Sequence, residues 1–146
     1  MKDFFIDKYE YDLQTNKRWI NKVIQQEEGI NDFIIKSLSH ILNVHHIWNS
    51  RLLGTQPESG LWDKLPLDYA TKFAVENRNV TISYLETWDH EAKVDFHDSE
   101  GTLLSKDTVD ILYHILNHSN YHRAQVAREL RTLGLEVPSF NFITFH

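Results

Sequence analysis

The sequence predicts an all-α protein: an antiparallel four-helix bundle with a small β-hairpin ahead of its last helix. Three observations carry this. Four long stretches repeat apolar residues at three- and four-residue steps, the period of one helical face. Their connections are mostly short, which favours antiparallel neighbours packed around one core. Only one segment, before the last helix, alternates apolar and polar residues in steps of two, as a strand does.

The first helix is expected from about Phe4 to Gln26, with Phe5, Tyr9, Leu13, Ile20, Val23 and Ile24 on its apolar face. Gly29 breaks it, and Asn31 or Asp32 offers a cap for the next. The second helix is expected from about Asp32 to Leu53, striped by Ile34, Leu38, Ile41, Leu42, Trp48 and Leu52, with Gly54 as its stop. The stretch from Gly54 to Pro66 holds two of the five glycines and two of the three prolines, so it reads as the longest loop. Trp62 is its expected anchor on the bundle. A third helix follows from about Leu67 to His90, with Phe73, Val80, Ile82, Tyr84, Leu85 and Trp88 as apolar candidates.

Val94 and Phe96 then alternate with polar residues, and Asp98 to Gly101 is rich in turn formers, which predicts the hairpin. The last helix opens at Lys106-Asp107-Thr108, which offers capping chemistry, and closes at Gly134. Its buried stripe is Leu112, Ile115, Leu116, Val126, Leu130 and Leu133. The tail from Leu135 to His146 carries Phe140, Phe142, Ile143 and Phe145, too apolar to be left in water, so it is expected to dock on the bundle or on a partner subunit.

Composition narrows function by exclusion. A length of 146 residues suits a single domain, residues 1–146, with one core. A net charge of −6 and the lack of any concentrated basic face argue against nucleic acid as a partner. There is no cysteine, which removes disulfides, thiolate metal ligands and a thiol nucleophile. Met1 to Lys8 is charged within a few residues and has no apolar signal core, and no run is long enough to span a bilayer; the expectation is a cytoplasmic protein with no membrane partner.

Nine histidines are many for a chain of this size, and their placement is informative. His118 and His122 stand four apart on the predicted last helix. Their side chains therefore lie one turn apart on one face, where two imidazole nitrogens can meet one ion at about 2.1 Å. Such a pair alone is a weak signal, because it is common on helix surfaces. Its position at the margin of the Leu112, Leu116, Val126 and Leu130 stripe strengthens it, since imidazole in a bundle interior needs a hydrogen bond or a metal. His114 extends the series a turn earlier but rotates toward solvent.

A third ligand has to come from a neighbouring helix. The second helix offers His40, His45 and His46. His45 lies closest to the apolar stripe, whereas His40 falls on a flank with Val44 and Ile47 that can meet a different helix; periodicity leaves both open. His46 is expected to be exposed. His90, His97 and His146 fall at element ends or in the hairpin, where a structural role is the simpler reading. Arg123 and Gln125 read as structural hydrogen-bonding residues, and Trp48 as core.

Two segments resemble a known family. Ser39-His40-Ile41-Leu42-Asn43-Val44-His45-His46-Ile47-Trp48, followed by Arg51-Leu52-Leu53-Gly54, resembles the second-helix motif of the DinB/YfiT-like proteins. Leu112-Tyr113-His114-Ile115-Leu116-Asn117-His118-Ser119-Asn120-Tyr121-His122-Arg123-Ala124-Gln125 resembles their last-helix motif, and Leu133-Gly134 with Pro138 matches their closing pattern. The resemblance covers essentially the whole chain. It implies an up-down-down-up bundle, often dimeric, with a three-histidine metal site of one ligand from the second helix and two from the last, here His40, His118 and His122. His45 falls where relatives often have an acidic residue, and Asn141 where many have Asp.

Three neutral imidazoles leave a coordination position open, the arrangement of catalytic rather than structural metal sites. Nitrogen-only ligation suits a divalent transition metal, zinc or nickel foremost. The resemblance implies a metal-dependent hydrolase or a low-molecular-weight-thiol S-transferase acting on a small molecule, a cellular thiol among the expected partners, in a homodimer. The alternative is a non-enzymatic metal-binding stress-response protein. No residue is assigned as general base; His45 and His114 are the histidines within about a turn of the ligands.

Overall fold

In the computed structural model, which describes residues 1–139 and 141–145, the four apolar-striped segments are helices: α1 (Lys2–Gln25), α2 (Asp32–Leu53), α3 (Leu67–Glu86) and α4 (Thr108–Thr132). A two-stranded antiparallel hairpin, β1 (Lys93–His97) and β2 (Leu103–Asp107), precedes α4. Local chemistry sets the helix ends. The Asn31 side chain accepts from the Ile34 amide and starts α2. Gly54 and Gly134 take positive φ just beyond α2 and α4, where a Cβ would be strained.

The core falls into two clusters that reveal the helix directions. One joins the end of α1 (Trp19, Ile20, Val23), the beginning of α2 (Ile34, Leu38), the beginning of α3 (Ala70, Phe73) and the end of α4 (Val126, Leu130). The other joins the beginning of α1 (Phe5, Tyr9), Leu85 near the end of α3 and the beginning of α4 (Ile111, Leu112, Ile115), with Trp48 and Leu52 of α2 against it. Helices α1 and α4 therefore run one way and α2 and α3 the other, which is the up-down-down-up order. The long Gly54–Pro66 connection exists because the chain must return the length of the bundle to begin a parallel α3.

Several expectations need correction. Helix α3 stops at Glu86 rather than near His90: Trp88 leaves the helix to donate its Nε1–H to Thr108 Oγ1 at 2.8 Å, which ties it to the first turn of α4. Asp107 does not cap α4, because its carboxylate accepts from Lys93 across the hairpin at 2.6 Å. Ile24, Val80 and Leu133 are exposed. His46 is half-buried, its Nε2 accepting from the Glu58 amide at 3.0 Å. The tail docks on the bundle along α1: Leu135 and Val137 pack on the core, Glu136 exchanges backbone bonds with the Gln26 side chain, and Phe142 and Phe145 meet the edge of Tyr11. Phe140 and His146 lie outside the described residues.

Apolar periodicity could not show the polar interior. Arg123 and Asp12 form a buried ion pair at 2.6 Å between α4 and α1; the same guanidinium nitrogen donates to Asn16 and Ser119. Between α2 and α3, His45 Nε2 meets Thr81 Oγ1 at 2.8 Å, Thr81 donates to Asn49, and Asn77 bonds the Leu42 carbonyl.

Removing Asp12 as Asp12→Ala strands a buried guanidinium, and the unfolding free energy measured in urea is expected to fall by about 3–5 kcal/mol. Burial also pushes His45 down to about 4 from its ordinary 6.5, against the pull of Asp12. The unfolded chain takes up that proton near pH 6.5, whereas the folded protein does not until about pH 4. Stability therefore declines as pH falls through this window, by up to about 3 kcal/mol from this residue. Urea midpoints at pH 7 and pH 5 check it: His45→Gln should lose less between them than the unmodified chain.

Candidate metal centre

The two faces of α2 separate its histidines. His45 is buried toward α3 in the Thr81 network, with its ring centroid 5.4 Å from that of Tyr9. His40, one and a third turns earlier, faces α4. Its ring lies 4.8 Å from that of His118 and 4.6 Å from that of His122. One nitrogen from each of His40, His118 and His122 falls within 4.8 Å of the others, and His40 Nε2 is 3.1 Å from His118 Nε2. The geometry thus brings together one rung of α2 and two rungs of α4, and it leaves His45 out.

Neighbours fix the tautomers of two of the three rings. His40 Nδ1 lies 2.8 Å from the Leu61 carbonyl, which only accepts, so the proton is on Nδ1 and Nε2 carries a bare lone pair. His122 Nδ1 lies 2.9 Å from Gln125 Oε1, with the same result. His118 Nδ1 is buried with no hydrogen-bond partner among the described residues. Two bare lone pairs converge with a third ring in a partly desolvated space, and no acidic side chain belongs to the group. That donor set fits a divalent cation: neutral nitrogens, two of the three rings with the second nitrogen already bonded to oxygen, and separations one ion can bridge with small side-chain rotations.

Electrostatics keeps the rings neutral. Burial, then the proximity of His122, His40 and His114, pushes His118 down to about 3. His40 is lowered by burial against the opposing bond to Leu61; His122 is lowered by burial and by His40. Neutral imidazole is the form that ligates, and all three shifts run in the direction that favours it.

Sequence reasoning missed three contributors. Trp62, the expected anchor of its loop on the bundle, stacks flat on His40 of α2, centroids 3.7 Å apart and planes within 4°, and so becomes part of the site. Leu61 orients His40 through its backbone, which no side-chain pattern reports. Gln125 does more than make a structural bond, since it fixes the tautomer of His122; its i, i+3 spacing was the available signal. His114 is exposed, as expected, with its ring 5.7 Å from that of His118. Trp48 is half-buried, its ring 5.3 Å from that of His114. Among the described residues, no helix is long and apolar enough to cross a membrane.

Compared with known proteins, residues 13–146 match the model of the DinB family. The chain is also 26% identical over 154 aligned positions to "Protein DinB" of Bacillus subtilis (strain 168), an alignment that spans 92% of this chain and 88% of that one.

In metal-free protein, nitrogen-15 shifts of the imidazoles should place the proton on Nδ1 of His40 and His122, and should show His118 still uncharged at pH 5. Protonation of His118 in step with a solvated imidazole would contradict the burial described here.

Proposed function

The chain belongs to the DinB family, and from that premise we propose that it is a metal-dependent enzyme in which His40, His118 and His122 hold one divalent transition metal, zinc or nickel. The observation that carries the reading is the convergence of three neutral imidazoles, two with their lone pairs aimed by the Leu61 carbonyl and Gln125. The reaction is hydrolysis of a small molecule or transfer of a low-molecular-weight thiol. A bound divalent ion would supply Lewis acidity, polarising a carbonyl or lowering the pKa of a coordinated water or thiol.

The residues of the chain do the rest. Leu61 and Gln125 keep His40 and His122 in the ligating tautomer. Trp62 covers one side of His40 and limits water there. His114, beside His118 and lowered by burial and by Arg51, is neutral near pH 7 and is the base within reach; His45 is committed to Thr81 and is not. The proposal includes a homodimer, for which Phe4 and Tyr113 stand exposed beside Phe142 on one edge of the bundle. Light scattering on the eluting protein checks that assembly.

A second reading has an observation of its own. The flat stacking of Trp62 on His40 closes part of the site, as a metal-binding stress protein with no turnover would. Trp62→Ala separates the two: an enzyme should change its KM or kcat, whereas a binding protein should change only its rate of metal release.

His118→Ala and His122→Ala should each abolish stoichiometric zinc on elemental analysis of untagged protein, together with hydrolase or thiol-transferase activity, while the far-ultraviolet circular dichroism stays helical. Retained metal in both variants would sink the assignment. Gln125→Leu should keep the fold and weaken zinc about 10–100-fold, because His122 loses the partner that fixes its tautomer.

A further inference from the structure

Beyond the histidine cluster, the seam between α2 and α4 continues toward the hairpin as a groove of about 430 Å³. Its walls are Trp48 and Phe96, rings 5.0 Å apart and edge to face, with His114 between them and the ligand His118. One cation lines this groove and a second packs on its aromatic walls. Lys106 lines it, carried on the hairpin face it shares with Val94 and Phe96. Arg51 lies over both aromatic walls, its guanidinium carbon 4.4 Å from the Trp48 centroid and 4.7 Å from that of Phe96.

Neither cation meets a carboxylate within ion-pair distance among the described residues. A half-buried arginine stacked on rings and left without a counter-ion keeps its forked donors for an incoming group. Asp110 is the one acid on the lining, and its field also acts on Lys93.

Distance along the helix supplies the scale. At about 1.5 Å per residue, His114 lies about 6 Å beyond His118 along α4, and Asp110 about 12 Å. A small molecule spanning one to two helical turns therefore reaches from the cluster to the groove lining at His114 and Asp110.

Resting on the metal reading above, we propose that this groove seats the anionic end, carboxylate or phosphate, of the small molecule whose reacting end lies at His40, His118 and His122. Arg51 and Lys106 take the charge, and the intervening chain lies along the wall that Trp48 and Phe96 form together. The groove thereby selects an acidic substrate in a protein whose net charge of −6 would otherwise repel it.

The test has two arms. First, metal-free protein is titrated with succinate and, separately, with inorganic phosphate, and backbone and side-chain amide shifts are followed. Saturable shifts at Arg51, Lys106 and His114, lost in the double variant Arg51→Gln, Lys106→Gln, support the groove; whichever anion saturates it identifies the group. No saturable shift with either, or shifts unchanged in the double variant, overturns the proposal whatever the metal does.

Second, cobalt-loaded protein is titrated with 6-mercaptohexanoate and with 6-mercaptohexanol, matched in length and different in charge, and thiolate-to-cobalt absorbance is read. The acid should bind about tenfold tighter than the alcohol, and the double variant should reduce that ratio to about threefold or less. Equal affinities in the unmodified protein overturn the proposed bridging. A protein that takes up no cobalt but passes the first arm keeps its anion groove and loses the metal reading, so the two failures are distinguishable.

Discussion

Arg123 is 2% exposed, and a guanidinium buried that deeply must find its counter-charge inside the bundle. It finds Asp12 on α1, and Asn16 and Ser119 fill the same hydrogen-bonding shell. Because the side chain cannot leave that partner without stranding a charge, the rotation of α4 about its own axis is set. His122 is the preceding residue and His118 stands a turn earlier, so the same rotation turns their rings toward α2. The histidine cluster on one side of α4 is thus aimed by an ion pair on the other.

The α2–α3 interface imposes a matching constraint on the third ring. His45, Asn49, Asn77 and Thr81 satisfy one another in a space with little access to water. An unpaired polar group there would cost more than its bond contributes, so the network is all or nothing. It locks the α3-facing side of α2 and leaves His40 on the side that meets α4. The loop from Gly54 to Pro66 completes the arrangement: in returning along the bundle it lays the Leu61 carbonyl on His40 Nδ1 and the Trp62 indole on the ring. Segments that look like mere connection therefore determine which nitrogen is free to ligate.

This division also explains why the site lies at the surface of a packed bundle. The core clusters occupy the two ends, where four helices contribute large side chains. The histidines sit along the seam between α2 and α4, desolvated enough to stay neutral, and His114 beside them lines a groove walled by Trp48 and Phe96. The histidine cluster and the packing that stabilises the fold thereby lie on different faces of the same two helices.

The order of helices, their caps at Asn31 and Gly134, the hairpin and the pairing of His118 with His122 all follow from short-range regularities. Each depends on backbone geometry repeated over a few residues, and the amino-acid order states it directly. The up-down-down-up course and the choice of His40 over His45 came from resemblance, because local spacing could not separate two histidines five positions apart on one helix. Tertiary structure separates them by physical means: His45 finds Thr81 on α3, and His40 finds a carbonyl 21 residues away and an imidazole 78 residues away. The Asp12–Arg123 pair, the stacking of Trp62 and the two cations of the groove belong to the same class. They are contacts between side chains far apart in the chain, whose energy depends on burial that exists only once the bundle has closed.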